Sequence, residues 1–283
     1  MIGPGAVGVT FGAAAERAGH DVALYGRAAG PAPVLELPGG KEQALRSAVR
    51  AEPDGVVPWI LLAVKTHQTA TAAPALDALA DRGTTVVVLQ NGVEHHALVE
   101  PHADGASIVP GIVWCPSERL SPEKTIQRGP ARVSVPDDDG GRAFAALMGD
   151  AAEVVTVPDF RTEAWRKLML NATAAPMVTE GRRAEVFGEP EHLATAQALA
   201  EEAAEVARAE GAAIRPEDVE EVIATLTTMP PDLGTSMLFD RLAGRRLEWD
   251  ARNGVVARRG REHGIATPVT DAVCARLAAL DAQ

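Results

Sequence analysis

Gly3-Pro4-Gly5-Ala6-Val7-Gly8 stands near the start of the chain. The spacing is G-x-G-x-x-G, a turn that lets backbone approach a dinucleotide pyrophosphate. Gly3 permits the tight turn, Gly5 keeps a side chain out of the phosphate's path, and Gly8 lets a helix pack closely on its strand. Three glycines at fixed spacing also arise by chance in a chain with 26 of them, so the flanking residues decide the reading. Residues 6–18 predict a helix, with small or apolar side chains at Val7, Phe11, Ala14 and Ala15. Gly19 follows where a helix-terminating glycine belongs. Asp21-Val22-Ala23-Leu24-Tyr25 then reads as a strand. Strand, glycine turn, helix, strand is the required order, and the helix N-terminus offers N–H groups to an anion. Only Met1 and Ile2 precede the turn, whereas a strand usually has about five or six residues. The expectation is that the native chain begins several residues earlier.

Further along, β-like runs recur at residues 22–25, 59–64, 84–89, 107–113 and 132–135. Ile60-Leu61-Leu62-Ala63-Val64 and Val86-Val87-Val88-Leu89 are continuously apolar, the pattern of parallel strands buried on both faces. Residues 28–58 are rich in Pro, Gly and Ala and weakly patterned. Beyond Pro158 helical patterns take over, at residues 159–175, 189–210, 216–229, 247–263 and 268–280. The fold class expected is α/β: a Rossmann-type parallel-sheet domain over residues 1–157, followed by an all-helical domain over residues 158–283.

Composition narrows the function. The chain has 283 residues, enough for one large or two medium domains, and 46% of them are hydrophobic. Its 27 basic and 39 acidic side chains leave a net charge of −12, so no chain-wide basic field attracts nucleic acid. A local basic pocket for a phosphate remains open. Cys115 and Cys274 have no metal-ligand spacing, so neither a metal site nor a disulfide framework is expected, and a reducing cytoplasm fits. No apolar stretch approaches the ~20 residues of a membrane span, and no basic-then-apolar leader is visible. A cytoplasmic protein without a membrane partner is expected.

The second strand ends Tyr25-Gly26-Arg27, without the acid that binds a ribose 2′-hydroxyl. An arginine there suits a 2′-phosphate, which favours NADP over NAD; the less favoured alternative is a surface-loop arginine. Val64-Lys65-Thr66-His67-Gln68-Thr69 carries an apolar strand into a polar tip. Ligands of open α/β sheets bind beyond strand carboxyl ends, which places Lys65 and Gln68 to meet a cofactor. Gln90-Asn91-Gly92 reads either as a turn or as an Asn positioned for nicotinamide or substrate. In the helical half, Lys167 and Asn171 are four apart and share a helix face. A lysine beside a ligand can protonate a carbonyl oxygen and stabilise the developing alkoxide, or it can simply snorkel. Thr235 or Ser236 can cap a helix, and Glu248 can be an exposed helix acid.

In this order the pieces resemble the ketopantoate reductase (2-dehydropantoate 2-reductase) family. The matching positions are the glycine turn, Arg27, residues 64–69, Gln90-Asn91-Gly92, Lys167 with Asn171, Thr235-Ser236-Met237 with Asp240, Glu248 with Asp250, Asn253-Gly254 and Thr267-Pro268. The resemblance implies NADPH-dependent reduction of a 2-keto acid to a 2-hydroxy acid, with 2-dehydropantoate as substrate on the route to pantothenate. It implies Lys167 as general acid and Glu248 as a substrate-orienting group with a part in proton transfer. Asn91 and Asn171 would hydrogen-bond substrate or hold Lys167, and Ser236 would meet the substrate carboxylate. Gly3, Gly5, Ala6, Val7, Gly8, Arg27, Lys65, Gln68 and Asn91 would meet NADP(H). A homodimer is also implied. One departure stands out: the family often repeats Asn one turn after the first, and here that position is Ala175. A relative reducing another keto acid, or a catalytically silent NADP-binding protein, are the alternatives.

Overall fold

The computed structural model describes residues 1–282. The chain divides into two compact units, the first Met1–Phe160 and the second beginning at Arg161.

In the first unit the apolar runs form the centre of a parallel sheet. Trp59–Leu62 pairs with Thr85–Val88, which pairs with Ser107–Pro110, all parallel. Alternate side chains feed opposite faces. Ile60, Leu62, Val86 and Val88 join Leu76 and Leu79 of the helix Thr69–Leu79 in one core. Leu61, Val87 and Val109 join Phe11 of the helix Ala6–Arg17 and Phe144 and Met148 of the helix Asp139–Met148 in the other. Each fully buried Val or Leu contributes roughly 1.5–3 kcal/mol, which is why both faces are apolar. On the other side Leu24–Tyr25 pairs in parallel with Val49–Arg50. Residues 1–3 hold the position of the first strand. Ile2 bridges in parallel to both Tyr25 and Leu62, and its N–H donates to the Leu61 carbonyl at 2.9 Å while its carbonyl accepts from Ala63 at 2.8 Å. The resulting strand order is that of a doubly wound dinucleotide-binding sheet, with the crossover point beside residues 1–3.

The expected run 107–113 is two strands. Pro110 has no N–H for a ladder, and a Cβ on Gly111 would lie 3.0 Å from Val133 Cγ2 and 3.1 Å from the Val88 carbonyl oxygen. The chain turns there, and Ile112–Trp114 pairs antiparallel with Arg132–Pro136, which also takes Glu153–Val157 in parallel. The weakly patterned region contains short strands as well: Val34–Glu36 pairs with Glu42–Ala44 and with Lys124–Gln127.

In the second unit every regular element among the described residues is helical. Phe160–Thr173 and Ala175–Glu180 are separated at Ala174, one residue after a helix that the sequence extends to 175. Pro176 supplies no N–H to continue the helix. Ala175, Met177, Val178, Phe187, Leu199, Leu238 and Leu277 build the core. Pro190–Ala209, Pro216–Thr228 and Pro268–Asp281 follow the expected helices closely, each with proline in the first turn where its missing N–H costs nothing. The expected helix 247–263 differs: it opens with a π-helical turn, Asp250–Gly254, and becomes α-helical only at Val255–His263.

Candidate active site

The first unit gathers its polar tips around the glycine turn. Gly3 has φ +90°, and a Cβ there would lie 2.6 Å from the Val64 amide nitrogen. The turn therefore presses on the end of the strand Trp59–Leu62. A Cβ on Gly8 would lie 2.1 Å from the Gly3 carbonyl oxygen, so helix and turn touch backbone to backbone. Gly5 is different: a Cβ there would meet nothing within 4 Å. No protein atom demands glycine at that position. Open ground beside the uncapped helix start at Ala6 and Val7 is what an approaching pyrophosphate requires. Gly26 is wedged between Val49 and Pro4, where its Cβ would come 2.9 Å from Val49 Cγ1 and 3.4 Å from Pro4 Cγ. That contact sets the second strand's end beside the turn, and the exposed Arg27 follows directly.

Lys65 and Gln68 occupy a short turn past Leu62. The Lys65 N–H donates to Gln68 Oε1 at 3.2 Å. Thr66 Oγ1 donates to the Asn91 carbonyl at 2.8 Å, and Gln90 Nε2 donates to the Val64 carbonyl at 3.0 Å and to Thr69 Oγ1 at 2.9 Å. Two strand ends are thus fastened together, holding Asn91 beside the 65–68 turn. Gly92 has φ +111°, so the chain bends at Asn91-Gly92 with the Asn91 backbone carbonyl held by Thr66.

In the second unit Lys167 and Asn171 lie one turn apart on Phe160–Thr173, with Leu168 and Met169 buried beside them. Lys167 is half-buried. Burial, joined by the positive charge of Arg252, pushes its amine down to about 8. Thr235, not Ser236, caps the helix Ser236–Leu242: its Oγ1 accepts from the Leu238 N–H at 3.3 Å. Ser236 remains exposed and accepts from Arg252 Nη2 at 2.9 Å. Glu248 is no exposed helix acid. It precedes the π turn, is 6% exposed, and its Oε2 lies 3.9 Å from Arg252 Nη2.

The π turn explains this clustering. The Trp249 carbonyl accepts from the N–H groups of Arg252, Asn253 and Gly254 at 3.2, 2.9 and 3.0 Å. A Cβ on Gly254 would strike Asp250 Oδ1 at 2.5 Å. The widened turn carries Arg252 and Asn253 inward, at 2% and 0% exposure. Asn253 Nδ2 donates to the Ala172 carbonyl at 3.0 Å, tying the π turn to the end of the Lys167 helix. Such π turns recur at functional sites. Arg252 escapes the sequence reading because an arginine in a helical run looks like a solvated face; only the π register turns it inward. Ala175 is wholly buried in the apolar core, where an alanine leaves no polar atom to satisfy.

A glycine-turn parallel sheet together with a helical unit carrying a half-buried lysine beside a buried arginine and glutamate defines a dinucleotide-dependent oxidoreductase. Family models for ketopantoate reductase PanE/ApbA match residues 1–140, and for its C-terminal domain residues 159–281. The chain is 42% identical to the 2-dehydropantoate 2-reductase of Mycobacterium tuberculosis, covering 99% of this chain and 96% of that one. It is 39% identical to the enzyme of the same name from Caulobacter vibrioides, with 98% and 97% covered. Among solved structures, the dimeric ketopantoate reductase of Staphylococcus aureus superposes with a TM-score of 0.91 at 25% identity, covering 99% and 97%. The chain belongs to the ketopantoate reductase family, whose members reduce ketopantoate to pantoate with NADPH. Among the described residues no helix is long and apolar enough to cross a membrane.

Proposed function

We propose that this chain reduces 2-dehydropantoate to pantoate, with residues 1–157 binding NADPH and residues 158–283 binding and protonating the keto acid. When bound, the dinucleotide supplies a hydride to the carbonyl carbon. Gly3, Gly5, Gly8, Ala6 and Val7 would receive its pyrophosphate, and Arg27 its 2′-phosphate through charge-assisted hydrogen bonds. Lys65, Gln68 and Asn91 would meet the remainder.

Lys167 donates a proton from Nζ to the carbonyl oxygen and is reprotonated by solvent. Asn171, on the same helix face, and Ser236 hold the substrate's polar groups, while Glu248 orients it and balances the cationic charge around Lys167. The observation that carries this reading is a half-buried lysine, its amine pushed down to about 8 by burial and Arg252, in a chain that is 42% identical to a 2-dehydropantoate 2-reductase over 99% of its length. A general acid works best with a pKa near the operating pH. The two free cysteines and the biosynthetic role of the relatives support a cytoplasmic enzyme, and the dimeric S. aureus enzyme supports a homodimer.

Following NADPH oxidation with ketopantoate against a panel of other 2-keto acids tests the assignment. Ketopantoate is expected to give the highest kcat/KM. A higher value for another keto acid moves the substrate assignment, and NADPH binding without any turnover points to a silent binding protein.

A further inference from the structure

The second unit holds an open concavity of about 420 Å³, lined by the end of the helix Ser236–Leu242, by residues 244–249 and by the end of the helix Pro268–Asp281. None of its lining residues is among those given above to cofactor, substrate or proton transfer. Its size falls in the range of small-molecule sites, roughly 300–1,000 Å³. Three arginines, Arg241, Arg245 and Arg246, meet there with Leu247, Trp249 and Leu280. Among the described lining residues Asp281 is the one acid. In a chain of net charge −12 this is a local excess of positive charge, and a concave wall of one sign gathers ions of the other.

Two of the guanidinium groups are anchored at one side. Arg241 Nη1 donates to the Val178 carbonyl. Arg245 Nε donates to Asp240 Oδ1 at 2.9 Å and its Nη2 to the Phe239 carbonyl at 3.3 Å, while its Nη1 makes no hydrogen bond among the described residues. Arg246 faces Asp281 Oδ2 at 3.8 Å, beyond hydrogen-bond distance, and Asp281 Oδ1 is taken by the Leu247 N–H at 2.6 Å. Donors on Arg245 and Arg246 are therefore open, and the anchoring of Arg245 lowers the cost of ordering it around a ligand.

We propose that this concavity binds a small organic phosphate with an aromatic body, its phosphate on Arg245 and Arg246 and its ring against Trp249 and Leu280. Guanidinium forks match phosphate oxygens two at a time, and an indole beside leucines takes a flat apolar ring. A bare anion would leave the apolar wall unused, and a neutral aromatic would leave the arginines unused. The site stands independently of the keto-acid reading.

Phenyl phosphate is the probe, beside inorganic phosphate, which lacks the ring, and phenol, which lacks the charge. Each is titrated calorimetrically into the full-length protein saturated with NADP⁺, so that the cofactor's own phosphate positions are filled. Phenyl phosphate should bind at least ~10-fold more tightly than either. In Arg246→Glu, at an exposed position, its Kd should rise at least ~10-fold. Ala278→Phe, which fills the concavity and changes no charge, should do the same, and Arg27→Ala should leave the Kd unchanged. No binding to the wild type, or binding no tighter than that of inorganic phosphate or phenol, overturns the proposal. So does native affinity in Arg246→Glu or in Ala278→Phe, or a loss in Arg27→Ala. Should one of the two concavity variants not fold, the other decides by the same reading. Should the wild type bind no NADP⁺, the cofactor reading fails by itself, and the same titrations without NADP⁺ judge the concavity.

Discussion

At Lys167 burial and the neighbouring Arg252 charge act in the same direction, bringing the amine down to about 8. Below that pH the lysine is protonated and can act as an acid; above it the proton is gone. The kcat/KM for keto-acid reduction should therefore decline as pH rises through about 8, and a profile flat to pH 10 would remove Lys167 as the proton donor. The same shift bears on stability. The folded pKa lies below the unfolded value of about 10.4, so the charged amine is penalised by folding at neutral pH, and the penalty disappears as pH rises toward the unfolded value. Lys167→Met should be more stable than the wild type at pH 7, by about 1 kcal/mol, as expected where activity trades against stability. The difference should vanish near pH 10.5 in denaturant titrations. Arg27 makes a separate claim. Arg27→Ala should raise KM for NADPH about 10–100-fold and leave KM for NADH unchanged, since only the former carries the 2′-phosphate. Equal effects on both would mean a surface-loop arginine.

Among the elements, the glycine turn separates structure from binding. Gly8→Ala drives a Cβ to 2.1 Å from the Gly3 carbonyl oxygen and should destabilise by about 1–3 kcal/mol, read as a lowered Tm. Gly5→Ala meets open space, so Tm should hold while Kd for NADPH rises at least ~10-fold. Equal Tm losses would mean that Gly5 serves packing instead. The turn, the helix Ala6–Arg17 and the central strands were legible because each leaves a local signature: glycine spacing, an apolar helix face ending at Gly19, and continuous apolar runs. The division of 107–113 at Gly111 was not, because it depends on the distant Val88 and Val133. Glu248 stood out only through the family resemblance, and Arg252 was opaque for a related reason. A π turn differs from an α turn by one residue of hydrogen-bond register, which leaves no mark in apolar periodicity yet turns Arg252 inward. Lys167 and Asn171 were visible as a helical pair, but the cation beside them came from a segment 85 residues away in the chain.

For the whole molecule, each unit has its own apolar core, so the two halves of the chemistry should separate in kinetics. Variants at Arg27 or Gly5 should act on NADPH affinity, and variants at Lys167 or Ser236 on keto-acid turnover with NADPH affinity native. The net charge of −12 leaves the attraction of an anionic substrate to local cations, of which Lys167 would be one. Sedimentation equilibrium should return twice the chain mass; a monomer at all concentrations would reject the homodimer. The most direct test is the initial rate of NADPH oxidation with ketopantoate in the wild type and in Lys167→Ala, with NADPH affinity measured alongside. The wild type should turn over, and the variant should lose at least ~100-fold in kcat, as expected when a general acid is removed, with NADPH bound as tightly as before. Near-wild-type turnover in Lys167→Ala would contradict the assignment of the proton donor.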